Sequence, residues 1–204
     1  ADRRQLDMVL TADDEALRPF TVTFPDSQIG VPAQTEWAVD KRSDTEVDFT
    51  WRNDDLTIVK RYRFIPQDYL VELTVEVSKQ SAGEAKQNLA VALYQFQDPT
   101  VDGSGGLFKR PAPVWHAACY VDGEVRSDGV RTLQKAERIR TGKVSWAGFS
   151  HNYFLVAAAP KQEDPRVTCA SRAVQGRDGA MQMLLQFPTI TLKEGGTLVY
   201  EPGA

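Results

Sequence analysis

Histidine is the side chain best suited to accept a proton near neutral pH, and this sequence holds two, His116 and His151. A serine or cysteine hydrolase needs such a base beside its nucleophile. His116 lies in Val114-Trp115-His116-Ala117, a strand-like context, and His151 lies in Ser150-His151-Asn152-Tyr153. Both read as structural histidines. No G-x-S-x-G, HExxH or Walker loop occurs, and Gly103-Ser104-Gly105-Gly106 lacks the Lys-Ser/Thr that must follow in a phosphate loop. Glycoside hydrolysis needs only two carboxylates at the right separation. Asp13-Asp14-Glu15, Asp54-Asp55 and Glu163-Asp164 are candidates, but each sits in a turn-like stretch where Asp side chains bond nearby amides. Trp37, Trp51, Trp115 and Trp146 could stack on a sugar, yet three of them fit strand core positions. The expectation is a chain with no catalytic residues and no cofactor.

Cys119 and Cys169 are the only cysteines. Neither belongs to a CxxC pair or a ligand cluster, which argues against a metal site. Two readings stay open for them. They form a disulfide, contributing about 4 kcal/mol in the chain-entropy model if their Cα atoms lie within about 7 Å, or they are two inert buried thiols.

Period-two alternation dominates the elements that would position these groups. Phe20, Val22 and Phe24 alternate with Thr21 and Thr23, and Val47, Phe49 and Trp51 with Asp48, Thr50 and Arg52. Ile58, Tyr62 and Phe64 share a face that Lys60 interrupts, and Val71, Leu73, Val75 and Val77 form the cleanest strand. Turn signals at Asn53-Asp54-Asp55, Pro66-Gln67-Asp68, Ser81-Ala82-Gly83 and Gly195-Gly196 separate the strands. Asp122-Gly123, between Tyr120-Val121 and Glu124-Val125, predicts a type I′ hairpin. Asp98 to Pro113, rich in Gly and Pro, predicts a long surface loop. Leu133, Ala136 and Ile139 allow a short helix or irregular edge over 131–140. No repeat or linker divides the chain, so residues 1–204 read as one all-β domain of antiparallel sheets with at most short helices.

With 24 basic and 28 acidic residues, the net charge is −4 and no basic block could track a phosphate backbone. Nucleic acid is not an expected partner. The longest apolar stretches, such as Tyr153 to Ala159, fall far short of the roughly 20 residues that span a bilayer. The start Ala-Asp-Arg-Arg shows no export signal, so the chain reads as a piece excised from a longer one.

The most distinctive segment runs Val144-Ser145-Trp146-Ala147-Gly148-Phe149-Ser150-His151-Asn152-Tyr153-Phe154-Leu155-Val156-Ala157-Ala158-Ala159-Pro160. It resembles the periplasmic domain of the YidC membrane-protein insertase family at Trp146, Gly148, Tyr153, Phe154 and Pro160. Phe64-Ile65-Pro66-Gln67-Asp68-Tyr69-Leu70-Val71-Glu72-Leu73 and Tyr120-Val121-Asp122-Gly123-Glu124-Val125 are similar to the same family, so the likeness covers about residues 50–200. These are packing and turn motifs, not an active site. The resemblance implies a β-supersandwich of two packed antiparallel sheets, held at the periplasmic face of the bacterial inner membrane by flanking helices absent here. It also implies protein partners: the Sec translocon with SecDF, and nascent membrane proteins. Binding residues stay unassigned. A second reading, from the likeness of this architecture to aldose epimerases, is a carbohydrate-binding or epimerase-like domain with His116 or His151 in a cleft beside a glutamate.

Overall fold

The computed structural model describes residue 11 and residues 14–32, 35–68, 70–101 and 114–203. In chain order, a 3-10 turn (Glu15–Leu17) precedes β1 (Thr21–Thr23), β2 (Ala38–Lys41), β3 (Glu46–Arg52), β4 (Leu56–Ile65), β5 (Leu70–Lys79), β6 (Glu84–Gln87) and β7 (Ala90–Phe96). There follow β8 (His116–Val121), β9 (Glu124–Asp128), α1 (Val130–Leu133), β10 (Arg138–Arg140), β11 (Val144–Ser150), β12 (Leu155–Pro160), β13 (Thr168–Ala173) and β14 (Ala180–Gln186). The chain closes with β15 (Ile190–Lys193), β16 (Thr197–Tyr200) and β17 (Pro202–Gly203).

These strands form a β-supersandwich. A five-stranded sheet in the order β1-β7-β14-β13-β10 lies against a ten-stranded sheet in the order β2-β3-β4-β5-β17-β12-β11-β8-β9, with β16 also on β5. A ribbon of β15 and β6 completes the arrangement. All the pairings are antiparallel, the expected outcome of short strands joined by tight turns.

The core is built as alternation dictates. Leu73, Val75 and Val77 of β5 are buried on one face while Glu72, Thr74 and Glu76 take the other. They join Val91 and Leu93 of β7, Met181, Met183 and Leu185 of β14, and Ala117 and Phe149 of the large sheet in one buried cluster that reaches from Val22 to Tyr200. Cys119 on β8 and Cys169 on β13 are fully buried and joined by a disulfide, with Cα atoms 6.7 Å apart. That bond ties the large sheet to the small one.

Asp122 (φ 51°) and Gly123 (φ 86°) both take positive φ between β8 and β9, as a type I′ turn demands. Over 131–140 the short helix and the irregular edge allowed by the sequence are both present, while β1 and β3 depart from the expected alternation. The 131–140 stretch divides into α1, with Val130 and Leu133 buried, and edge strand β10, where Ile139 is 64% exposed. Helical spacing alone therefore does not predict burial here. Phe20 leaves the extended path altogether at φ 57°, so β1 keeps only Val22 on its buried face. On β3 the deeply buried side chain is Asp48, not its apolar neighbours Val47, Phe49 and Trp51. Of the Gly/Pro loop, Asp98 to Val101 forms a turn in which the Asp98 carboxylate accepts from Thr100, while 102–113 lies outside the described residues.

Candidate binding cleft

The inward faces of β3, β4 and β5 continue past the core into an open cleft of about 370 Å³. Val47 and Phe49, Lys60, Tyr62 and Phe64, and Val71 and Leu73 line its large-sheet wall. Val91 closes it from the small sheet, Pro202 from β17 between β5 and β12, and Ala158 from β12 beyond it. Pro19 and Phe20 lie at the remaining side. This accounts for β3: its apolar face is only half-buried because it borders open space.

Lys60 is the one charged side chain among the described lining residues. Its Nζ lies 3.5 Å from the ring centroid of Trp37 and 5.7 Å from that of Phe49, so two π-faces replace part of the lost hydration. Burial nevertheless pushes its pKa down to about 8. Phe49 meets Tyr62 edge to face, with centroids 5.7 Å apart. The Tyr62 hydroxyl donates to the Phe20 carbonyl at 3.4 Å, and burial lifts the phenol to about 12. Phe20 is held in a left-handed conformation that costs a bulky residue about 1–2 kcal/mol.

The opposite face of the same strands is an ion-pair ladder. Arg61 donates from Nε and Nη2 to both Asp48 oxygens at 2.9 Å, and Arg42 donates from Nε to the same carboxylate at 3.2 Å. These guanidinium groups hold the Asp48 carboxyl below its usual range. Glu46 and Glu76 flank Arg61, and Arg63 pairs with Glu72. The period-two alternation that puts Lys60 and Tyr62 inward puts Arg61 and Arg63 outward.

The residues singled out from the sequence scatter. His116 begins β8, and His151 sits in the β11–β12 turn, where its ring lies 4.9 Å from that of Trp115. Neither lines the cleft. Asp14 caps the 3-10 turn and pairs with Arg177, Asp13 lies outside the described residues, and Asp54-Asp55 occupies the β3–β4 turn. Glu163 pairs with Lys143 at 2.8 Å and Asp164 with Arg166 at 2.7 Å, so that acid pair is neutralised. Among the described residues no cluster of His, Cys, Asp and Glu could hold a metal.

Trp146 stacks on Tyr120 with centroids 6.2 Å apart. Gly148 faces Ala157 across the β11–β12 pair, and Pro160 faces Pro202. Tyr153 and Phe154 are not core residues. They are 83% and 41% exposed, with their rings each 6.3 Å from that of His151. The cleft itself was missed in the sequence. Its one visible signal was Lys60 breaking an apolar face.

Comparison with known proteins follows the same lines. The chain is 28% identical, over an alignment of 207 residues, to the membrane protein insertase YidC of Anaeromyxobacter sp. (strain Fw109-5), covering 97% of this chain and 36% of that protein. It is 26% identical over 163 residues to the YidC of Syntrophus aciditrophicus (strain SB), covering 75% of this chain and 28% of the relative. It thus spans about a third of the length of these relatives. A galactose mutarotase-like protein from Lactobacillus casei shares the fold with a TM-score of 0.64 at 11% identity, over 89% of this chain and 82% of that one. No helix among the described residues is long and apolar enough to cross a membrane. Residues 4–201 match the family model of the YidC periplasmic domain, and the chain belongs to that family.

Proposed function

We propose that this chain is a single, non-catalytic periplasmic interaction domain of a YidC-type membrane-protein insertase. It works by contact with Sec accessory subunits such as SecDF, or with membrane proteins during insertion and folding. The observation that carries this reading is the family match over residues 4–201, together with a site that offers apolar surface and one amine in place of a nucleophile and base. The parent insertase sits in the inner membrane, and the domain faces the periplasm, where a disulfide between Cys119 and Cys169 persists.

The test is to graft this chain in place of the periplasmic domain of a working YidC and purify the assembly under mild detergent. SecDF or a stalled membrane-protein substrate co-purifies in an amount that depends on the domain. Retention of neither above the level of a domain-deleted insertase ends the reading.

The fold likeness to a galactose mutarotase-like protein favours a second reading, a carbohydrate-handling domain. It needs a histidine in the cleft, whereas His116 and His151 lie elsewhere. Mutarotation of galactose by the purified chain, abolished in a His116→Ala/His151→Ala variant, is the result that would establish it.

A further inference from the structure

The two bonded cysteines sit alike in their sheets. Cys119 on β8 lies one strand in from the edge strand β9, and Cys169 on β13 lies one strand in from the edge strand β10. The cross-strand neighbour of Cys119 is Arg126, and that of Cys169 is Arg140. Directly opposed residues share a face, so both arginines point, as the buried cysteines do, into the space between the sheets.

The whole seam between β9 and β10 is built this way. Glu124, Arg126 and Asp128 oppose the buried Val121, Cys119 and Ala117, and Arg138 and Arg140 oppose the buried Ser171 and Cys169. Every inward position of both edge strands therefore carries a charge, while Val125 and Ile139 face outward and are 57% and 64% exposed. Inward charge on an edge strand deters pairing with other chains. That need explains charged side chains on β9 and β10, but not an arginine opposite each cysteine.

Asp128 joins the two edges. Its carboxylate accepts from Arg140 and has Arg138 at 3.9 Å, so one acid of the large sheet holds two cations of the small one. Beside this latch an open pocket of about 380 Å³ is lined by Val121, Asp122, Glu124, Arg126, Arg140 and Thr141. It touches both arginines and neither cysteine. The Nη1 of Arg140 is buried and finds no acceptor among the described residues.

We propose that this seam is the entrance through which a small thiol reductant reaches the Cys119–Cys169 disulfide, with the Asp128–Arg140 pair as its gate. When Asp128 releases Arg140, β9 parts from β10 while β10 stays paired to β13, so Arg140 remains beside Cys169. The thiolate of the reductant attacks Cys119 Sγ, the S–S bond breaks, and its electron pair leaves with Cys169 as a thiolate. Arg140, 19% exposed and freed of Asp128, is the cation that stabilises this thiolate. Arg126 is 60% exposed and paired with Glu124, so it offers Cys119 less. With a dithiol, the second thiol then displaces the mixed disulfide. The reductant leaves as its own disulfide, and the chain keeps two thiols formed with two electrons and two protons. The pocket admits a small molecule and not the face of a protein dithiol. The step unties the two sheets without unfolding either, and it stands apart from the interaction reading.

The test holds the 204-residue chain with dithiothreitol, quenches samples with iodoacetamide, and reads the doubly alkylated fraction by intact mass. Well below the urea midpoint the reduction rate is nearly flat in urea, because a local opening exposes little surface. A rate that climbs from zero urea with the full slope of global unfolding overturns the proposal on the unaltered chain alone. Asp128→Asn accelerates reduction in buffer by about tenfold or more. Asp48→Ala, which loosens the far edge of the large sheet, does not, and equal acceleration by both variants shows general destabilisation and overturns the gate. Reduced thioredoxin stays slow on Asp128→Asn, and rapid reduction by that protein overturns the small entrance. With glutathione in place of dithiothreitol, peptide mapping finds the trapped adduct on Cys119. An adduct on Cys169 overturns the role given to Arg140.

Discussion

The ammonium of Lys60 rests on the indole of Trp37, with Nζ 3.5 Å from the ring centroid, in a wall otherwise made of Phe49, Tyr62, Phe64 and aliphatic side chains. A cation so placed has exchanged water for ring faces, and the exchange is incomplete because its pKa falls from 10.5 to about 8.

That shift fixes a pH dependence. With the folded pKa depressed, the unfolded chain binds the proton more tightly between pH 8 and 10.5, so stability from this group rises as pH rises through that window. Lys60→Met is expected to stabilise the chain by about 1–3 kcal/mol at pH 7, and the advantage shrinks toward pH 10. Urea midpoints of both proteins across pH 7 to 10 check it, and an advantage independent of pH refutes the burial argument. Tyr62 and Tyr200, each lifted by burial to about 12, act with opposite sign above pH 10 but are common to both proteins.

Asp48 is 1% exposed and depends on Arg61 and Arg42 for its partners. Removing the carboxylate takes the buried acceptor from two guanidinium groups: Arg61 keeps only Glu46 and Glu76, at 3.6 and 3.9 Å, and Arg42 keeps Asp40 at 3.1 Å. Asp48→Ala is expected to cost about 2–4 kcal/mol at pH 7. Because the folded carboxyl titrates below its usual range, the wild-type advantage is complete above pH 4 and falls as the pH drops below it. Denaturation at pH 7 and pH 3 should show the gap closing.

The disulfide closes a loop of 50 residues between two fully buried sulfur atoms. Replacing both cysteines with alanine is expected to cost about 4 kcal/mol through the entropy of the unfolded chain. Burial also means that dithiothreitol acts only on opened molecules. Reduction followed by thiol labelling should be slow in buffer and rapid near the urea midpoint, and fast labelling in buffer would contradict the packing.

Gly148 is needed for space, not for an unusual backbone angle. A Cβ there would lie 2.1 Å from the Val156 carbonyl oxygen and 2.6 Å from the Ala157 Cα, both main-chain atoms that cannot yield without parting β11 from β12. Gly148→Ala is expected to destabilise by about 2–4 kcal/mol, read as a lowered thermal midpoint. An unchanged midpoint would show that the two strands separate freely.

Much of the fold was legible in the sequence because sheet formation is local in its signals. Val71 to Val77 alternate without error, and Asp122-Gly123 announces the turn that the backbone makes. The cleft was not legible, because it depends on which strands fail to meet. Nothing in Val47-Asp48-Phe49 tells whether the apolar or the acidic side is covered; that is settled by Arg42 and Arg61 reaching over Asp48 from elsewhere. Likewise Tyr153 and Phe154 look like core residues by type, and only their place in the turn after β11 leaves them exposed.

The pairing of β16 with β5 has a consequence in time. Ser78 and Thr197, whose side chains hydrogen-bond across that pair, are separated by 119 positions, and Gly203 reaches back to Glu72. The middle of the large sheet therefore waits for residues 197–203 to emerge. Until then β5 presents an open apolar edge, and the two halves of the sheet have nothing between them. Contacts this distant make folding slow and late. The large sheet joins at its middle only after residues 197–203 have been delivered, which leaves the newly made chain dependent on whatever shields that edge in the interval.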